Sequence, residues 1–260
     1  MRPGVGPIRT PVAKASEQPA RGGVGVSMPF DSLTSALPME AQSAPDLPTG
    51  PGWRFEPKWD GFRCLARKHG RKVELTAKSG KPLGRYFPEV LELVASLKAD
   101  RFVLDGELMV EIDGAYSFEA LQARLHPAES RIQKLSIETP AELMLFDMLE
   151  YKRKDLRSLP LKLRHGRLEA FVAAAHGALQ ISPGTEDRRT ARRWLASGRY
   201  EGIVAKRLDG PYLSGERAMI KVKRRRTADC VVGGFPYATN SKLLGSLLLG
   251  LYNHKGELDH

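Results

Sequence analysis

Two stretches restrict the folds open to this chain more than any others: Phe102-Val103-Leu104-Asp105-Gly106-Glu107-Leu108-Met109-Val110 and Leu143-Met144-Leu145-Phe146-Asp147-Met148-Leu149. Each is a nearly continuous apolar run of strand length, bounded by polar sequence, and reads as a buried strand. The first carries acids at i and i+2, so on a strand Asp105 and Glu107 share one face. Taken alone, such a pair reads as a turn acid and a buried ion-pair partner.

Other elements follow from local pattern. Strands are expected at 53–56, 63–67 and 72–76, the last two separated by the turn signal His69-Gly70, and the three together read as an antiparallel meander. Pro88 opens a helix in which Val90, Leu91, Val94 and Leu97 recur at helical spacing, ending near Ala99. Ser117 caps a short helix carrying Phe118, Leu121 and Leu125. Helices are expected at 161–175 and at 186–196, the second closed by Ser197-Gly198, and strands return at 202–206 and 218–223. The fold class is therefore α+β, with antiparallel sheets flanked by helices.

Three parts are expected along the chain. Residues 1–27 are rich in Pro, Gly, Ala and Arg without apolar periodicity and read as a flexible tail. Residues 28–228 form the main domain, entered through a turn-rich lead-in punctuated by Pro38, Pro45, Pro48 and Pro51. Residues 229–260 hold two β-like runs, 230–234 and 247–252, that read as a hairpin.

A net charge of +11 over 260 residues favours a polyanionic partner: nucleic acid, an anionic membrane or a nucleotide. The two cysteines, Cys64 and Cys230, lie far apart with no Cys-x-x-Cys spacing, which points to neither a zinc site nor a disulfide framework. No apolar run approaches the roughly 18 residues of a membrane span. A soluble, monomeric, cytoplasmic protein without membrane partners is the expectation.

The chemistry concentrates in Phe55-Glu56-Pro57-Lys58-Trp59-Asp60-Gly61-Phe62-Arg63. A lysine amine, with an ordinary pKa of about 10.4, is a poor nucleophile near neutrality unless nearby cations or a metal favour its neutral form. Lys58-x-Asp60-Gly61-x-Arg63 resembles the nucleotide-accepting motif of the covalent nucleotidyltransferases: DNA ligases, RNA ligases and mRNA capping enzymes. Further motifs of that superfamily stand in order: Leu104-Asp105-Gly106-Glu107, Leu145-Phe146-Asp147, Glu201-Gly202-Ile203-Val204 and Lys221-Val222-Lys223. The wording around Lys58 is most similar to stand-alone bacterial ATP-dependent DNA ligases of the end-joining type.

The resemblance implies an adenylylation (nucleotidyltransferase) domain followed by an OB-fold, of which residues 229–260 would supply only the first hairpin. It implies ATP with Mg²⁺ or Mn²⁺ as cofactors and nicked duplex DNA as partner, alongside end-joining or repair proteins. Lys58 becomes the nucleophile. Glu56, Arg63, Glu107, Phe146, Glu201, Lys221 and Lys223 join it around ATP: Glu56 at the adenine amino group, Phe146 on the purine face, the lysine pair at the α-phosphate. Glu107 and Glu201 are the metal ligands, and Asp60, Lys78, Arg224 and Arg225 face DNA. Where the family commonly has Ser-Arg, this chain has Ala77-Lys78, which keeps a charge but not bidentate geometry. With so little of the OB-fold, weak self-adenylylation and sealing are expected. An RNA ligase, a GTP-using capping enzyme and a nucleic-acid-binding module without chemistry stay open as alternatives.

Overall fold

The computed structural model describes residues 37–224, 227 and 229–259. The tail expected at 1–27 and the start of the lead-in lie outside the described residues. Two mixed-length sheets form the main body. The larger runs β4 (Lys72–Ala77), β3 (Phe62–His69), β5 (Arg101–Ile112), β7 (Ala141–Tyr151) and β8 (Lys154–Asp155), with β6 (Ala115–Tyr116) on β5 and β9 (Gln180–Ile181) on β7. The smaller runs β1 (Ala41–Ser43), β11 (Met219–Lys223), β10 (Gly202–Arg207) and β2 (Trp53–Lys58).

Strand alternation divides the interior. On β3 and β5, Cys64, Ala66, Phe102, Leu104, Leu108 and Val110 pack beneath α1 (Pro88–Ser96), which contributes Val90 and Val94, and α4 (Leu161–Ala173), which contributes Leu168. The opposite face presents Leu65 and Val103, which meet Met219 of the smaller sheet together with Leu149, Met39 and Tyr212. Asp105 and Glu107 fall on this second face, between the sheets. The far side of the smaller sheet is closed by α5 (Arg188–Ser197), whose Ala191, Trp194 and Leu195 pack on Phe55, Ile203, Ala205 and Val222.

The meander is not formed as expected. β3 and β4 pair antiparallel across the His69-Gly70 turn, but β2 leaves them and pairs with β10 in the other sheet. Pro57, which has no N–H to give a ladder, suits the edge position that β2 occupies. The chain crosses between sheets over Trp59-Asp60-Gly61, and a Cβ at Gly61 would overlap the Leu108 carbonyl and lie 2.8 Å from Glu107 Cγ. Glycine here lets the crossing lie against β5, beside Glu107.

Several further elements, β1 and one helix among them, lacked a sequence signal. β1 pairs parallel with β11 through three residues of the lead-in, and α3 (Glu129–Glu138) buries only Ile132, too thin a stripe to show as periodicity. The Ser117-capped helix is α2 (Phe118–Gln122), its hydroxyl accepting from the Ala120 N–H. Towards the C-terminus, β12 (Val231–Gly234) pairs antiparallel with β13 (Leu248–Tyr252), as the pattern of two β-like runs implies; β14 (Leu258–Asp259) adds a third strand. Among the described residues no helix is long and apolar enough to cross a membrane.

Candidate active site

The register of the smaller sheet places its charged side chains in rows. Lys58, Gly202 and Lys223 are paired across β2, β10 and β11, and Glu56, Val204 and Lys221 form the next row on the same face. Glu201, just before β10, donates its N–H to the Lys58 carbonyl at 3.1 Å. Its carboxylate lies between two amines, Oε2 on Lys58 Nζ and Oε1 on Lys223 Nζ. Partial burial would raise the Glu201 pKa, but hydrogen bonds from Lys223 and Lys58 outweigh it and hold the carboxyl below its ordinary value. A row of three charges thus fixes the Lys58 amine.

Between the sheets lies a cavity of about 1060 Å³ whose walls include Glu56, Lys58, Arg63, Lys78, Glu107, Phe146, Lys206 and Lys221. Glu201 and Lys223 flank it through their contacts with Lys58. Lys78 reaches it from β4's end while pairing with Glu40 at 3.0 Å. Asp60 and Arg224 are exposed, and Arg225 lies outside the described residues.

One end of the cavity is a network that the sequence reading largely missed. Glu56 is buried, its Oε1 accepting from Arg54 Nε at 2.9 Å and its Oε2 facing Lys206 Nζ at 2.6 Å. Lys206 also lies 4.6 Å from the centre of the Phe146 ring. The available signal was strand alternation, since Lys206 shares a face of β10 with Gly202 and Val204 and a buried lysine needs an acid.

Arg63, expected at the nucleotide, lines the cavity and gives both ends of its guanidinium to Asp105, at 2.6 Å each. Burial would lower its pKa, and Asp105 reverses the sign and raises it. The guanidinium carbon sits 4.4 Å from the Phe146 centroid. Asp105 also accepts the Tyr212 hydroxyl at 2.6 Å, and that hydroxyl accepts from Met39 N–H at 2.9 Å. Arg63 therefore supports the wall that Phe146 forms.

Glu107 differs from the other acids. Burial pushes its pKa up to about 7, against the pull of Arg63 and Lys58 and with the push of Asp105 and Asp60. Among the described residues its carboxylate has no hydrogen bond or ion pair, and it faces the cavity. This is the hard oxygen donor a divalent ion takes. No cluster of three metal-ligating side chains occurs among the described residues, so such an ion would draw its other oxygens from phosphate and water. Glu201, the second expected ligand, already has both oxygens on lysines.

The raised Glu107 pKa has a measurable sign. Between its ordinary value of 4.5 and about 7 the folded chain keeps a proton that the unfolded chain has released. Stability therefore falls as pH rises through that window. Glu107→Gln is expected to flatten this slope, gaining on the order of 2–3 kcal/mol over wild type at pH 8 and little at pH 4, as urea unfolding without nucleotide or divalent ions would show. A slope identical in both proteins would refute the assignment.

A family profile described as the ATP-dependent DNA ligase domain matches residues 38–223, the span that holds both sheets and every wall of the cavity. The chain belongs to this family. The ligase domain is 40% identical over 235 residues to DNA ligase C2 of Mycolicibacterium smegmatis and 39% identical over 239 residues to DNA ligase C of Mycobacterium tuberculosis; each alignment covers 89% of this chain. It spans 66% of the length of each of these relatives. Among solved structures, the ligase domain of M. tuberculosis LigD superposes with a TM-score of 0.58 at 28% identity, covering 87% of this chain and 70% of that one. A mycobacterial DNA ligase D complexed with ATP and MES gives 0.60 at 28%, covering 89% and 71%. The α+β class expected from the sequence is the fold of these ligase domains.

Proposed function

We propose that this ligase domain takes AMP from ATP onto Lys58 and passes it to the 5′-phosphate of a DNA nick for sealing. The observation that carries the reading is the Lys58–Glu201–Lys223 row, whose Lys58 lines a cavity of about 1060 Å³. The names of the relatives, and the ATP in the complex of one structural neighbour, support it.

In the first step the Lys58 amine attacks the α-phosphorus of ATP; a P–N bond forms, the bond to pyrophosphate breaks, and pyrophosphate leaves. The amine must shed its proton, and Glu201 Oε2 is its hydrogen-bond partner. Glu201 is a weak base while two ammonium groups hold its pKa down. A triphosphate arriving beside Lys221 and Lys223 neutralises one of those cations and raises the basicity of Glu201 as Lys58 needs it. In the second step an oxygen of the nick 5′-phosphate displaces Lys58 from the α-phosphorus. In the third, the 3′-hydroxyl attacks that 5′-phosphate and AMP departs.

The walls support one placement of the substrate. The Arg54–Glu56–Lys206 cluster and Phe146 take the adenine end, with Glu56 as acceptor for the amino group; stacking on an aromatic face contributes about 1–3 kcal/mol. Lys221 and Lys223 meet the phosphates. A bound Mg²⁺ or Mn²⁺ would be held by Glu107, with Glu201 as the second candidate, and would supply charge neutralisation at the phosphates.

Intact mass after exposure to ATP and Mg²⁺ tests the reading. The expected spectrum shows a fraction of the chains heavier by one AMP, rising slowly with time; the adduct is absent when GTP or NAD replaces ATP and is discharged by a nicked duplex carrying a 5′-phosphate. An unmodified wild-type mass under all conditions would overturn it.

A further inference from the structure

Helix α5 carries more positive charge than its packing uses. Its inner face is apolar, and Asp187 caps it by accepting from the N–H groups of Arg189 and Thr190. Four of its ten residues are arginines: Arg188, Arg189, Arg192 and Arg193. They form two stripes one turn apart along the helix. Arg188 and Arg192 converge on Asp46, at 2.8 and 2.9 Å, and bind the lead-in to the helix.

Arg189 and Arg193 have less compensation: Arg189 feels the charge of Asp187 without an ion-pair contact, and Arg193 has no carboxylate partner among the described residues. Both are exposed, and among the described residues neither is in an ion pair; Arg193 donates only to Thr190 Oγ1 at 2.8 Å. Like charges at i and i+4 destabilise a helix, and cations in its first turn oppose its dipole. The second stripe therefore costs the isolated fold stability. Two more arginines, Arg199 and Arg224, sit exposed at the C-terminal end of α5 and are likewise outside any ion pair among the described residues. The Arg224 guanidinium occupies the place a Cβ on Gly198 would take, and Gly198 has φ of 74°.

This end of α5 is fixed against the reactive lysine. The Tyr200 ring packs edge-on with Trp194 of α5, at 6.5 Å, and with Trp59, at 5.2 Å, the residue after Lys58. The Arg224 N–H donates to the Glu201 carbonyl at 3.1 Å. A polyanion laid along the exposed arginines is thereby placed relative to Lys58.

We propose that Arg189, Arg193, Arg199 and Arg224 form a phosphate track for the backbone of duplex DNA flanking the nick. The proposal rests on DNA being the substrate, as inferred above, and assigns that substrate a second contact surface outside the cavity. The dimensions fit: ten helical residues extend about 15 Å, the length of roughly four base steps at about 3.4 Å each. The arginines contact phosphate alone and carry no base specificity.

The test is fluorescence anisotropy of a labelled nicked duplex against wild type and the double variant Arg189→Glu/Arg193→Glu, across a salt series. The variant is expected to bind about tenfold or more weakly at low salt, with a log K against log salt slope shallower by about two. Arg189→Gln/Arg193→Gln keeps good helix formers and is expected to lose less affinity with the same change in slope. The AMP adduct, read by mass in the same samples without DNA, still forms. Slopes equal to wild type in both variants, or no duplex binding by wild type, would overturn the track. Because the adduct needs no DNA, an unmodified wild type would defeat the lysine chemistry while leaving the slopes to judge the track.

Discussion

Lys58→Ala is expected to abolish the AMP adduct, a loss of at least about 10⁴-fold in the rate of lysine modification, since on the proposed reading Lys58 supplies the attacking nitrogen. Lys58→Arg is expected to fail equally. A guanidinium restores the charge beside Glu201 but stays protonated and offers no lone pair for attack. The fold should hardly respond. The Lys58 and Glu201 side chains are each 25% exposed, and Glu201 keeps Lys223, so the lost pair costs about 1 kcal/mol or less. Mass spectrometry and thermal unfolding on the same samples separate these effects. Label retained by folded Lys58→Ala would show that a different residue accepts the nucleotide.

The contrast between what was legible in the sequence and what was not follows the range of the interactions. Alternation within one strand is local, so the shared face of Asp105 and Glu107, and that of Lys221 and Lys223, could be read directly. Pairing between strands is not local. The strand carrying Lys58 joins β10, nearly 150 residues away, because Phe55 belongs to the core under α5 and Pro57 to a sheet edge; the apparent meander with β3 had only proximity in its favour. The Arg54–Glu56–Lys206 network stayed hidden for the same reason. Glu56 carries an acid in an otherwise ordinary strand, and its partner Lys206 reads as a surface lysine until β2 and β10 are paired. The division of labour between Asp105 and Glu107 also needs coordinates. Both acids share a face, yet Asp105 is consumed by Arg63 and Tyr212 while Glu107, among the described residues, has no ion pair or hydrogen bond at the cavity.

That division makes Asp105 the site of the second large effect. Asp105→Ala would leave the Arg63 guanidinium, its side chain 20% exposed, without its acid; breaking one side of a fully buried pair costs about 3–5 kcal/mol, and this partial exposure puts the loss at about 3 kcal/mol. The loss should appear as a lowered urea midpoint with unchanged m-value. Arg63 would no longer be held against Phe146, and the Tyr212 hydroxyl that anchors Met39 would lose its acceptor, so nucleotide use should weaken through KM for ATP. The double variant Arg63→Met/Asp105→Leu separates the two consequences. An apolar pair of similar volume removes the unpaired charge and is expected to recover part of the stability, the remainder staying lost because the Tyr212 hydroxyl still lacks its acceptor. It cannot restore the Arg63 cation against the Phe146 ring, which would keep Lys206, so the raised KM should persist. If the double variant regained both stability and ATP affinity, the Asp105–Arg63 pair would be shown to serve the fold alone, and Phe146 would owe its position to its strand rather than to the guanidinium beside it.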